Sequence, residues 1–190
     1  MGRLIIRLPL FLTWQKTQFK KLGNTLIEKG VWFLQNAFKL KPKTTTGSYL
    51  KMLISSKTGI SNVYLADKTY YYTDLATIKN ILKYDLVDEK EYESEKYDCD
   101  DYAQTIYAIF RYVFELNSMG TARQIEMVSA ETGGHIGWHR ANIFLAEDNG
   151  TLKLYYCEPQ NDFIKEITSK EITGIKGFES KKLILGNFDF

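Results

Sequence analysis

Between Cys99 and Phe114 the apolar positions Cys99, Ala103, Ile106, Tyr107, Phe110 and Phe114 return every three or four residues. That spacing puts them on one face of a helix. Asp98 stands where an N-cap belongs and Asp101 at the third helical position, as in a capping box. Asn117 and Gly120 mark the predicted end. Upstream, TDLATIKNILKYD predicts a shorter helix capped at Thr73 or Asp74, and Asn62 to Tyr72 is β-prone. Downstream, RQIEMV, WHRANIFLA, LKLYYCEP and KLILGNF predict strands. A helix followed by several antiparallel strands is an α+β order. Before all of these, Trp14 to Leu40 predicts a helix bearing Phe19, Leu22, Leu26, Ile27, Phe33, Leu34 and Phe38, weakened by Gly23 and Gly30. KPKTTTGS (Lys41 to Ser48) has no hydrophobic pattern and reads as a linker. The expected organisation is an N-terminal arm and helix over 1–45 and a main domain over 46–190.

Composition narrows the function classes only a little. The chain has 190 residues, is 44% hydrophobic and 25% charged, and carries a formal net charge of +2. These values suit a globular domain with a real core and give no electrostatic case for nucleic acid. The opening MGRLIIRLPLFLTWQK is apolar but is broken by Arg7 and Pro9. It is shorter than the roughly 18–20 apolar residues of a membrane span and lacks a cleavage site, so it reads as a structural arm with no membrane role. A cytoplasmic or virion-associated setting is expected, with reduced thiols. The two cysteines, Cys99 and Cys157, form no CxxC pair, which argues against a zinc or redox motif.

The candidate chemistry starts from Cys99, at the N-terminus of its helix, where free N–H groups and the helix dipole favour an anion. A thiol nucleophile needs a histidine and a group to orient it. Only His135 and His139 exist. AEDNGT is a turn signal between the strands of His139 and Glu158. A four-residue loop sets His139 opposite Glu158; a two-residue Asn149-Gly150 turn sets it opposite Gln160, with Glu158 diagonal. Either register leaves His139 and Glu158 on one face. His135 has the same parity and would face Asp162 in the first register, but it sits among Gly133, Gly134 and Gly137. His139 on its strand is the better-held base. Asn142 has the opposite parity and lies outside the immediate surroundings of His139; Cys157 likewise points away from the Glu158 face and reads as core.

YDCDDYA, HRANIFL and YYCEPQND resemble motifs of the papain-like, transglutaminase-like cysteine hydrolases. The likeness is greatest to the C-terminal peptidase domain of a fungal agglutinin and its small viral and microbial relatives, and spans about Val63 to Ile164. The resemblance implies a catalytic helix packed on an antiparallel sheet, with Cys99 as nucleophile, His139 as base and Glu158 as orienting acid. It implies a calcium (or manganese) site of Asp100, Asp101, Glu158 and Gln160. It further implies cleavage of an amide in a protein or peptide substrate through a thioester, with transglutaminase or deamidase chemistry as variants. Asp100 and Asp101 would raise the pKa of a neighbouring thiol, and a bound cation would reverse that effect. The competing expectation is a non-catalytic structural or binding protein, such as a virion component, that keeps the fold and uses its arm for self-association.

Overall fold

The computed structural model describes residues 21–22, 24–26 and 28–190. The chain divides after Ala37 into two units. In the first, residues 21–22, 24–26 and 28–37 are helical, and 28–37 is α1. The rest of the expected arm, including residues 14–20 of the predicted helix, lies outside the described residues.

The second unit is mixed α+β and dominated by its sheet. Its elements are β1 (Lys43–Thr46), α2 (Gly47–Thr58), β2 (Val63–Tyr64), β3 (Thr69–Asp74), α3 (Leu75–Leu82) and α4 (Cys99–Tyr112). There follow β4 (Met119–Ser129), β5 (His135–Asp148), β6 (Thr151–Glu158), β7 (Phe163–Glu166), β8 (Glu171–Ile172), β9 (Lys181–Ile184) and β10 (Asn187–Asp189). The strands form one sheet with a main path β1-β3-β5-β4-β10-β2, while β6 and β7 extend from β5, and β9 and β8 from β4. Most neighbours are antiparallel; β3 with β5 and β10 with β2 are parallel.

Three elements differ from expectation. The stretch read as a linker contains a strand, because Lys43 to Thr46 pairs with Thr69 to Tyr72 of β3. Threonine suits strands, and pairing outweighs the missing hydrophobic alternation. Thr46 then caps α2 through the backbone N–H of Tyr49. Second, α4 ends at Tyr112, and Gly120 lies within β4. A Cβ at Gly120 would lie 2.4 Å from the carbonyl oxygen of Asp189, so this glycine serves close strand approach, not helix termination. Third, Asn117 accepts from the Tyr71 N–H and donates to the Thr69 carbonyl, joining the loop after α4 to β3.

Period-two alternation along β5 builds two layers. Ala141, Ile143 and Leu145 pack with Leu50, Leu53 and Ile54 of α2 and with Tyr156 of β6. Phe144 and Ala146 pack with Ile78, Ile81 and Leu82 of α3, with Tyr102, Ile106 and Phe110 of α4, and with Cys157. Cys157 is therefore a core thiol, free and buried.

Asn142 is the polar fastening of that second layer. Its buried Nδ2 donates to the Ala103 carbonyl of α4 at 2.8 Å and to the Gly120 carbonyl of β4 at 3.2 Å. One amide thus ties the first turns of α4 to the sheet. Asn142→Ala removes both donors and leaves a hole, and should destabilise the chain by about 3 kcal/mol. A shift in the urea midpoint with an unchanged slope measures this; a loss below about 1 kcal/mol would mean that the amide bonds add little.

Candidate functional site

The predicted N-terminus of α4 is realised in detail. The Asp98 side chain accepts from the Asp100 N–H, and Asp101 Oδ2 accepts from the Asp98 N–H at 3.2 Å, forming a capping box. This puts Cys99 at the first helical position, partly exposed. The carboxyls of Asp98 and Asp100 share a hydrogen bond, which lowers the pKa of Asp98 and raises that of Asp100. Arg140 Nη1 donates to Asp100 Oδ2 at 3.3 Å, so β5 supplies a cation to the acidic start of the helix.

His139 and Glu158 meet as parity requires. β5 and β6 are joined through Asn149 and Gly150, both at positive φ, with Asp148 paired to Thr151 and Asn142 to Cys157. The two-residue turn is the register adopted, and Glu158 is the diagonal partner of His139. His139 Nε2 lies 2.7 Å from Glu158 Oε2, with both side chains buried. Tyr156 donates its hydroxyl to the same oxygen at 2.6 Å, while Glu158 Oε1 has no hydrogen-bond partner among the described residues. Burial opposes a charged imidazole, but hydrogen bonds to Cys99 and Glu158 outweigh it and raise the His139 pKa to about 9. The ring is therefore an imidazolium at neutral pH, set between a thiol and a buried carboxylate. His135 has a different environment: it is exposed, 3.1 Å from Glu126, with its ring tilted against that of Trp138 at 5.3 Å between centroids. Asp162, expected opposite His135 in the alternative register, clusters instead with Asp85 and Asp88.

Around these groups lies an open cleft of about 250 Å³, lined by Cys99, Asp100, Gln124, Trp138, His139 and Arg140. Sequence reasoning missed three of its walls: Gln124, Trp138 and Arg140. Gln124 sits in a β4 bulge at φ 57°, between Ala122 and Ile125, and bulges re-aim side chains beside sites. Its carbonyl lies 2.4 Å from where a Cβ at Gly186 would be, so Gly186 lets the bulge form. Trp138 and Arg140 flank the histidine in sequence. A tryptophan and an arginine beside a candidate base were the signal available, although strict alternation puts them on the other face of the strand from His139.

The oxygen set expected for calcium is not gathered. Asp101 is committed to the cap and Asp100 to Asp98 and Arg140. Among the described residues, the groups of acidic, thiol and imidazole side chains close enough to share an ion do not unite Asp100, Asp101 and Glu158. Gln160 lies in the turn after β6. These residues as placed do not fit a calcium site, and no chemistry is derived through one.

No protein-family model and no curated protein matches the sequence. Solved structures do share the fold. One is a complex of PSL1a with E64, at 19% identity and a TM-score of 0.52, covering 77% of this chain and 50% of that one. Another is a Polyporus squamosus lectin bound to the human-type influenza-binding epitope Neu5Aca2-6Galb1-4GlcNAc, at 19% identity and a TM-score of 0.54, covering 77% and 49%. The likeness is one of fold. This chain spans about half the length of those it matches.

These findings correct the family resemblance. The fold is found in a lectin seen with a sugar epitope, so it is no signature of a peptidase, and a fold does not carry its reactions with it. Membership of the papain-like cysteine hydrolases is withdrawn, as are the thiol-protease and amide-cleaving reaction and the calcium and viral associations. What the site retains is its geometry: Cys99, His139 and Glu158 connected in series at the edge of an open cleft.

The raised His139 pKa has a consequence for stability. Its contribution is fully present below about pH 6.5, the unfolded value, and is lost as pH rises through about 9. Urea unfolding at pH 6 and pH 9.5 should differ by roughly 3 kcal/mol from this group. His139→Gln should flatten the difference. An equally steep slope in the variant would assign it to other groups.

Proposed function

We propose that the chain is a binding protein whose ligand, a carbohydrate, seats in the Cys99–His139 cleft. Trp138 carries the reading. It is 62% exposed on the cleft wall, although burial of an indole is strongly favourable. A flat apolar face in a cleft also lined by the polar groups of Gln124, Asp100 and Arg140 suits a sugar ring, which offers C–H groups on one face and hydroxyls at its rim. Small-ligand sites combine an apolar surface with a few convergent polar groups in this way.

One group of the cleft suits an acidic sugar. Arg140 is partly exposed on the lining and holds Asp100 through a single 3.3 Å contact, which leaves guanidinium N–H groups to pair with a ligand carboxylate. The lectin that shares this fold was solved with a sialylated epitope, which supports a carbohydrate as the first class to try. Glu158 has a positioning role here, holding the ring charged and in place. Cys99 borders the ligand, and its sulfur accepts from the imidazolium of His139.

Calorimetric titration of the whole chain with Neu5Aca2-6Galb1-4GlcNAc and with its asialo counterpart tests the proposal. The sialylated compound should bind more tightly. Trp138→Ala should weaken binding at least about tenfold, and Cys99→Ser should leave it nearly intact. Absence of glycan binding would overturn the reading. So would steady turnover of a fluorogenic peptide amide that vanishes in Cys99→Ala.

A further inference from the structure

The charge of this chain is distributed very unevenly. Residues 1–43 contain nine Lys and Arg and one Glu, a net charge of +8, whereas 44–190 carry a net −6. Within the described part of that basic stretch, the helical residues Leu22, Leu26, Trp32, Phe33 and Leu34 are all exposed, Trp32 and Phe33 at 66% each. Lys21, Lys29, Lys39 and Lys41 are exposed as well. None of these four has an ion-pair partner among the described residues.

Against the sequence expectation of an arm with no membrane role, we propose from these observations that the N-terminal segment docks the protein on an anionic lipid surface, with α1 lying in the headgroup region. A helix that exposes Trp, Phe and Leu beside unpaired lysines has the composition of an interfacial segment. Trp favours the boundary where one side of its ring is apolar and the other wet, and lysine stems run along apolar surface while their ammonium groups reach the phosphates. No described helix is long and apolar enough to cross a membrane.

Charge selects the occupant. A second copy would bring one +8 segment against another, an arrangement opposed by like-charge repulsion, whereas anionic headgroups attract every lysine within about a Debye length. The net −6 of the remaining chain is repelled by the same surface, so the attraction resides in the basic segment. This inference does not rest on glycan binding: the cleft and α1 share no residue.

Flotation of the full chain with vesicles of phosphatidylcholine alone, or with one-third phosphatidylserine, provides the test. The protein should float with the anionic vesicles only, and high salt should release it. Trp32→Ser with Phe33→Ser, and separately Lys21→Gln with Lys29→Gln, should each lower partitioning roughly tenfold. All four positions are exposed, so the variants keep the fold, and circular dichroism verifies this. Equal flotation with neutral vesicles, no flotation with either, or a chain that dimerises through Trp32 and Phe33 in place of binding would overturn the proposal.

Discussion

A buried imidazole facing a buried carboxylate is the constraint that orders the cleft. Glu158 is fully enclosed, and an isolated carboxylate in such a place would be strongly disfavoured. It is tolerated because His139 and Tyr156 both hydrogen-bond to one of its oxygens. The pairing fixes which ring nitrogen of His139 turns inward, and so leaves the other side of the ring toward Cys99. Pairs of this kind cost desolvation and repay it through geometry. Here the geometry obtained is a ring that stays charged, with its pKa at about 9, beside a thiol that borders solvent.

The rest of the fold brings two independent elements to that ring. β5 carries His139 and, through alternation, supplies apolar residues to both layers. α4 delivers Cys99 from the other direction, fastened by Asn142 to the sheet and by Arg140 to the acidic first turn. The cleft therefore depends on a helix–sheet junction with polar attachments at both ends of the first two helical turns. Gln124 adds a left-handed backbone position to the lining, held where Gly186 leaves room for its carbonyl.

Local rules made some of this legible from sequence. Asp98 as N-cap, the capping box with Asp101, the Ala103, Ile106 and Phe110 positions of the buried face of α4 and the shared face of His139 and Glu158 follow from periodicity and capping chemistry alone. The register of β5 on β6 stayed open between two turn lengths, because both satisfy the same alternation. Thr44 to Thr46 hid a strand, since its stability comes from pairing with β3 rather than from its own pattern. Trp138 and Gln124 escaped notice for a different reason. A bulge displaces side chains from strict alternation, and nothing in the residues around Gln124 announces one. The family resemblance rested on three short motifs. Such motifs report local geometry more reliably than they report a reaction.

The tip of the β5–β6 hairpin has an evolutionary consequence. With Asn149 and Gly150 as its two-residue turn, the hairpin reads its own length in units of two. Loss or gain of a single residue there, with pairing re-formed, would rotate β6 by one position: the carboxylate of Glu158 would enter the apolar α4 layer and the Cys157 thiol would be presented toward His139. A change of two would preserve the arrangement. Descendants of this chain should therefore vary at the tip in even steps, however freely the residues themselves are exchanged.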